Sequence, residues 1–164
     1  MIYTHCIWDF NGTILDDVDL GIYCVNILLR ERGLGEIPSK EIYRKKFDFP
    51  VIDYYKAVGF DFSSEPYEKV ANEWVALYKN NVSMSHLCDG VLEVLEYFKK
   101  HGYKMGVISD TSPSLEFTLQ QLGIAKYFTS FTASSLVGAG KPSPIIFNTA
   151  LEAQGVTAAE SIFV

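Results

Sequence analysis

The chain predicts a doubly wound (Rossmann-like) parallel α/β sheet with an all-helical block inserted after its first strand. Three observations carry this. An apolar run at the N-terminus stops on Asp9, and a polar turn containing Gly12 follows. From Leu15 to Cys88 the apolar residues recur at helical spacing, with no run that reads as a strand. After Asp89-Gly90 the pattern becomes a strand–helix alternation, which calls for a parallel sheet. The predicted domains are therefore a core over 1–15 and 89–164 and a helical cap over 16–88.

Residues Thr4 to Trp8 read as a buried strand. Val18 to Arg32 places Ile22, Val25, Leu28 and Leu29 on one helical face and ends at Gly33, a suitable residue just past a helix. A short segment from Lys40 follows, with Ser39 as its N-cap. An apolar-aromatic stretch runs from Val51 to Val58. Tyr67, Val70, Ala71, Trp74, Leu77 and Tyr78 form a helical stripe, with Ser63-Ser64 as the start signal. In the second half, Val91, Leu92, Leu95 and Phe98 make a helix closed by Gly102, and Lys104 to Ser109 is a strand. Ser112-Pro113 supplies an N-cap and a first-turn proline for a helix stopping at Gly123. Phe128 to Ala133 is a strand, Ser143-Pro144 starts a helix that ends at Gly155, and Ser161 to Val164 begins a further strand.

Composition bounds the function. Apolar content of 48% with 21% charged residues marks a globular chain of 164 residues. The net charge of −6 disfavours a nucleic-acid or membrane surface. No apolar stretch approaches the ~18 residues of a membrane span, and Met1 to His5 lacks the basic start of a signal peptide. The three cysteines, Cys6, Cys24 and Cys88, have no CxxC spacing and read as free thiols, which predicts a reducing, cytoplasmic location.

Asp9 is the carboxylate set both at a strand end and beside a glycine turn, where open α/β sheets bind ligands. Asp9-Phe10-Asn11-Gly12-Thr13, Ile108-Ser109 and Gly140-Lys141-Pro142, in that order around a helical insert, resemble the first three motifs of the haloacid dehalogenase-like (HAD) superfamily. Asp89-Gly90-Val91 ahead of a helix resembles its phosphoglycolate-phosphatase-like branch. The resemblance covers essentially the whole chain. It implies Mg²⁺-dependent hydrolysis of a small phosphomonoester, such as phosphoglycolate, through an aspartyl-phosphate on Asp9. Asp9 and the Asn11 backbone carbonyl would then hold the metal, Gly12, Ser109, Asp110 and Lys141 would contact the substrate, and backbone N–H groups around Asn11 and Gly12 would complete a phosphate cradle. A carboxylate is a weak nucleophile repelled by phosphate, so a cation beside it is required, and Lys141 meets that need. Asp110 also reads as a turn or capping residue. Asp16 and Asp17 read as helix-start charges, and Arg44, Lys45 and Lys46, beside Phe47-Asp48-Phe49-Pro50, as a solvated helix face first and a cap loop that reads the substrate leaving group second. His5, His86 and His101 share no motif, and none has a predicted catalytic role.

Two departures from that pattern shape the expectation. Phosphatases of the family carry an aspartate two positions after the nucleophile, as acid and base; Asn11 stands there and has no titratable proton. The strand beginning at Ser161 would run on into a Gly-Asp pair that completes the metal site, so the core reads as C-terminally incomplete and the chain as a fragment. The alternatives are a non-catalytic phosphometabolite-binding protein and a phosphotransferase with an acceptor other than water.

Overall fold

The computed structural model describes residues 3–48, 50–110 and 115–164. Strand β1 (His5–Asp9) is followed by a two-residue strand β2 (Leu15–Asp16). Helices α1 (Val18–Glu31), α2 (Lys40–Lys46), α3 (Val51–Ala57) and α4 (Tyr67–Asn81) come next. A second two-residue strand, β3 (His86–Leu87), leads into α5 (Val91–Lys100) and β4 (Lys104–Ser109). Then follow α6 (Leu115–Gln121), β5 (Ser130–Ala133), α7 (Ser134–Val137), α8 (Pro144–Gln154) and β6 (Ser161–Phe163). The chain divides into two compact units, Met1–Asp16 with His86–Val164, and Asp17–Ser85.

The first unit is built on a four-stranded sheet in the order β5-β4-β1-β6, with every pairing parallel. Register places Asp9 beside Ile108 and Cys6 beside Ile162. The sheet is covered on both faces. Cys6, Trp8, Met105 and Val107 pack with Val91 and Leu95 of α5 and Leu115 and Leu119 of α6. Ile7 and Ile108 pack instead with Ile146 and Ala150 of α8. A strand buried on both sides must be apolar at consecutive positions, which is why Cys6-Ile7-Trp8 shows no alternation. Strand order reverses around β1, so its carboxyl end lies at the switch point where such sheets bind ligands.

The second unit is helical. Val25, Leu28 and Leu29 of α1 pack with Ile37, Tyr54, Tyr55, Val58, Phe60 and Val70. Ser39 caps α2 by accepting from the Ile42 N–H at 3.3 Å. Gly33 adopts φ 66° after α1, the left-handed conformation that ends many helices. Arg32, beside it, ties the unit together. Its guanidinium meets both Glu65 oxygens at 2.6 and 2.9 Å and Glu73 at 2.5 Å, and lies 5.5 Å from the Phe60 ring centroid.

Three sequence expectations are revised. Leu15–Asp16 and His86–Leu87 pair as antiparallel strands, so the stretch from Leu15 to Cys88 is not wholly helical. Two residues are too few to show a period of two. Helix α4 begins at Tyr67 after Pro66, not at Ser63-Ser64, because those serines close a turn on Asp61: the Ser63 N–H donates to its side chain at 2.9 Å and the Ser64 hydroxyl to its carbonyl at 3.2 Å. Strand β5 starts at Ser130, since Phe128 is buried against the α5–α6 layer after a 3₁₀ turn over Ala125–Tyr127. Helix α7 had no counterpart in the sequence reading. The Ser112-Pro113 helix start lies outside the described residues.

Candidate active site

Strand β1 delivers Asp9 to the sheet edge, and the residues after it turn back sharply. Phe10 is buried, and its carbonyl accepts from the N–H groups of Ile14 at 2.9 Å and Leu15 at 3.0 Å. Gly12 adopts φ 77°, and a Cβ there would meet nothing within 4 Å. Conformation selects glycine at this point, since an L side chain in the left-handed region costs roughly 1–2 kcal/mol. The Gly12 N–H, expected in a phosphate cradle, donates instead to the Leu15 carbonyl at 2.8 Å. Its observed role is to close the loop.

Ser109 ends β4, the strand adjacent to β1, and is fully buried at 0% exposure. Its hydroxyl donates to Asn11 Oδ1 at 3.1 Å. Lys141 lies in the turn Gly140–Ser143, closed by the Ser143 N–H on the Gly140 carbonyl at 2.9 Å, with the Lys141–Pro142 peptide cis. Ser143 then caps α8 by accepting from the Ile145 N–H at 3.3 Å, and Pro144 occupies its first turn. The turn sends the Lys141 ammonium to Asp9, where Nζ donates to Oδ1. The Phe10 N–H donates to that same oxygen at 2.8 Å. The side chains of Asp9 and Lys141 are 25% and 20% exposed, so the pair is neither dry nor fully solvated.

Asp110 joins this group. Its Oδ1 accepts from the Lys141 N–H at 2.9 Å, and its Oδ2 lies 3.8 Å from Lys141 Nζ. Two carboxylates thus face one ammonium. Asp9, Asn11, Ser109, Asp110 and Lys141 come together at one edge of the parallel sheet.

Other titratable groups named from the sequence have partners within their own units. Lys45 pairs with Glu41 at 2.6 Å and Lys46 donates to the Ala57 carbonyl at 2.9 Å, both within the helical unit. Phe49 lies outside the described residues. Asp16 faces His86 at 3.6 Å across the β2–β3 pair. The His101 ring nitrogen Nδ1 contacts the Tyr97 carbonyl at 2.8 Å. Burial, and then the charge of Lys104, lower the pKa of His5. Burial pushes the thiols of Cys6 and Cys24 up to about 12 and about 11, which makes them unreactive.

Among the described residues no group of three or more His, Cys, Asp and Glu side chains is placed to hold a metal ion. The donors at the end of β1 are nonetheless hard oxygens, the Asp9 carboxylate and the Asn11 carbonyl. They fit Mg²⁺, which is commonly held by one or two carboxylates plus substrate phosphate oxygens and water. No helix among the described residues is long and apolar enough to cross a membrane.

The partnership of Asp110 with Lys141 was not readable from the chain, because 31 residues separate them. The signal that could have found it is the glycine immediately before Lys141, a residue that leaves room for a neighbour.

Known proteins show the same arrangement of sequence and fold. The chain is 33% identical over 166 residues to a phosphoglycolate phosphatase of Vibrio parahaemolyticus, covering 96% of this chain and 72% of that protein. It is 29% identical over 147 residues to a phosphoglycolate phosphatase of Nitrosococcus oceani, covering 83% of this chain and spanning 63% of that relative's length. A haloacid dehalogenase-like family hydrolase from Streptococcus pneumoniae superimposes with a TM-score of 0.79 at 17% identity, over 98% of this chain and 74% of that one. The family model for haloacid dehalogenase-like hydrolases matches residues 6–164, from the first strand through the Lys141 turn, and the chain belongs to that family.

Proposed function

We propose that the protein is a phosphatase that hydrolyses a small phosphomonoester, of which phosphoglycolate is the model substrate, through an aspartyl-phosphate on Asp9. One observation carries this reading: an ammonium from a turn 132 residues away rests on the carboxylate that ends β1. A carboxylate cannot approach a phosphate dianion without such screening. The two relatives named as phosphoglycolate phosphatases support the substrate class.

Asp9 Oδ1 takes both hydrogen bonds, from Lys141 Nζ and from the Phe10 N–H, so Oδ2 is the oxygen that attacks phosphorus. As that bond forms, the bond from phosphorus to the leaving oxygen breaks and its electron pair departs with the oxygen. Lys141 holds the phosphoryl oxygens as charge moves onto them, and the Ser109 hydroxyl joins it by turning its one proton from Asn11 Oδ1 to a phosphoryl oxygen. Water then attacks phosphorus, the bond from phosphorus to Asp9 Oδ2 breaks with its electron pair returning to the carboxylate, the proton of the water passes to solvent, and inorganic phosphate leaves. Mg²⁺, held by Asp9 and the Asn11 carbonyl, would supply further neutralisation of phosphate charge. Asn11 has no proton to give, so the leaving oxygen takes its proton from solvent, and aryl phosphates are the favoured test substrates.

A second reading rests on Asn11: a phosphometabolite-binding protein, or a phosphotransferase, that keeps the cradle without the acid. Turnover of an aryl phosphate in the presence of Mg²⁺ separates the readings. The phosphatase releases phosphate, and Asp9→Asn abolishes that release. Binding of the phosphate ester without turnover would favour the binding protein instead.

A further inference from the structure

Lys141 is held at its main chain as well as at its ammonium, and both contacts involve Asp110. The Lys141 N–H donates to Asp110 Oδ1 at 2.9 Å, while Oδ2 lies 3.8 Å from Nζ. The preceding residue is shaped to allow this. A Cβ on Gly140 would meet Asp110 Oδ1 at 2.6 Å, far inside contact distance, and Asp110 Cγ at 3.4 Å. The next neighbour, Ser134 Cβ at 3.7 Å, is ordinary contact. Gly140 does not adopt a positive φ, so backbone conformation does not require glycine there. The carboxylate of Asp110 does.

We infer that Asp110 is a positioning residue for Lys141, and that Gly140 is glycine because a side chain there would displace the Asp110 carboxylate. The inference rests on the phosphatase reading for the role of Lys141, and on geometry alone for the tether. A lysine carries its charge on a flexible four-carbon stem. An ammonium that must serve both a nucleophile and the phosphoryl oxygens works well only if the root of that stem is fixed. Asp110 fixes it from the end of β4, next to Ser109, so one strand end sets both Ser109 and Lys141. Misplacing a group of this kind by about 1 Å costs on the order of 10²-fold in rate.

The test compares Asp110→Ala, Asp110→Asn, Gly140→Ala and the double variant Asp110→Ala/Gly140→Ala in the full chain. Two quantities are read: hydrogen exchange of the Lys141 amide by NMR, and kcat/KM for 4-nitrophenyl phosphate. Asp110→Asn keeps an oxygen for the Lys141 N–H. It should retain amide protection and stay within about tenfold of the parent, whereas Asp110→Ala loses protection and about 10²-fold in kcat/KM. Gly140→Ala should reproduce both losses, because the added methyl drives the carboxylate off the amide. In the Asp110→Ala background the same change should have no further effect, since its obstacle is gone. Equal losses from Gly140→Ala in both backgrounds, or an Asp110→Asn protein as impaired as Asp110→Ala, would overturn the inference. Should the parent show no phosphatase activity, the functional reading fails, and the amide exchange pattern still decides whether Asp110 tethers Lys141.

Discussion

The Ser109 hydroxyl donates to the side-chain oxygen of Asn11 at 3.1 Å, joining the ends of two adjacent strands across 98 residues of sequence. The bond assigns Asn11 a structural part. Its amide oxygen orients the serine that contacts phosphate in the proposed reaction, while its chemistry provides no acid. An aspartate at this position would keep the accepting oxygen and add a titratable proton.

Asn11→Asp should therefore raise turnover of alkyl phosphates by up to about 10²-fold and leave aryl phosphates within a few fold. A poor alkoxide leaving group benefits from a proton donor far more than a phenolate does. Steady-state kinetics on a matched alkyl and aryl pair check this. Equal change on both substrates would show that leaving-group protonation does not limit the native protein.

Lys141→Ala should lower kcat/KM for an aryl phosphate by about 10²–10³-fold, the usual effect of removing a preorganised charge-stabilising donor. Lys141→Arg should not restore it. The planar guanidinium is broader than an ammonium and cannot occupy the same point between Asp9 and Asp110. An arginine variant with parental kcat/KM would mean that only charge, and not its placement, matters here.

Much of this architecture was readable in the chain, and the parts that were not share a physical cause. Asp9, Gly12 and Lys141 stand out through local chemistry: a carboxylate at the end of an apolar run, a glycine in the polar turn after it and a lysine between glycine and proline. The helices closed by Gly33, Gly102 and Gly155 were legible for the same reason. What stayed hidden depends on partners distant in sequence. The Gly12 N–H looked available for phosphate until the fold brought Leu15 back onto it. Asp110 looked like a turn residue until β4 placed it beside Gly140. Strands β2 and β3 exist only because the two segments meet, each too short to carry a pattern of its own.

Phe10 links the core to the site, since its ring is buried in the α5–α6 layer while its N–H holds Asp9 Oδ1. Phe10→Ala should cost about 3–5 kcal/mol of stability by opening a cavity. Urea denaturation measures that loss. At urea-free, low temperature, where the variant remains folded, aryl phosphate turnover should also fall, because the loop that presents Asp9 loses its anchor. A stability loss below about 1 kcal/mol would mean that the site collapses around the missing ring.

Acid should weaken the helical unit through Arg32. Hydrogen bonds from Arg32, and then from Lys69, lower the pKa of the Glu65 carboxyl from 4.5 to about 2. A carboxylate whose pKa is depressed in the folded state contributes stability above its unfolded pKa and loses it as pH falls through the folded one. The contribution of this contact is thus complete above about pH 4.5 and gone below about pH 2. Glu65→Gln removes the ionisable partner but keeps the side-chain shape. The parent should exceed this variant in Tm by a constant margin near neutral pH, and the margin should shrink steadily between pH 4.5 and pH 2. Raising salt should reduce it at neutral pH as well, since these side chains remain partly exposed to solvent. A Tm difference that does not change across that acid range would show that the folded-state carboxyl is not stabilised by Arg32, and would return the tie between α1 and α4 to the Glu73 contact alone.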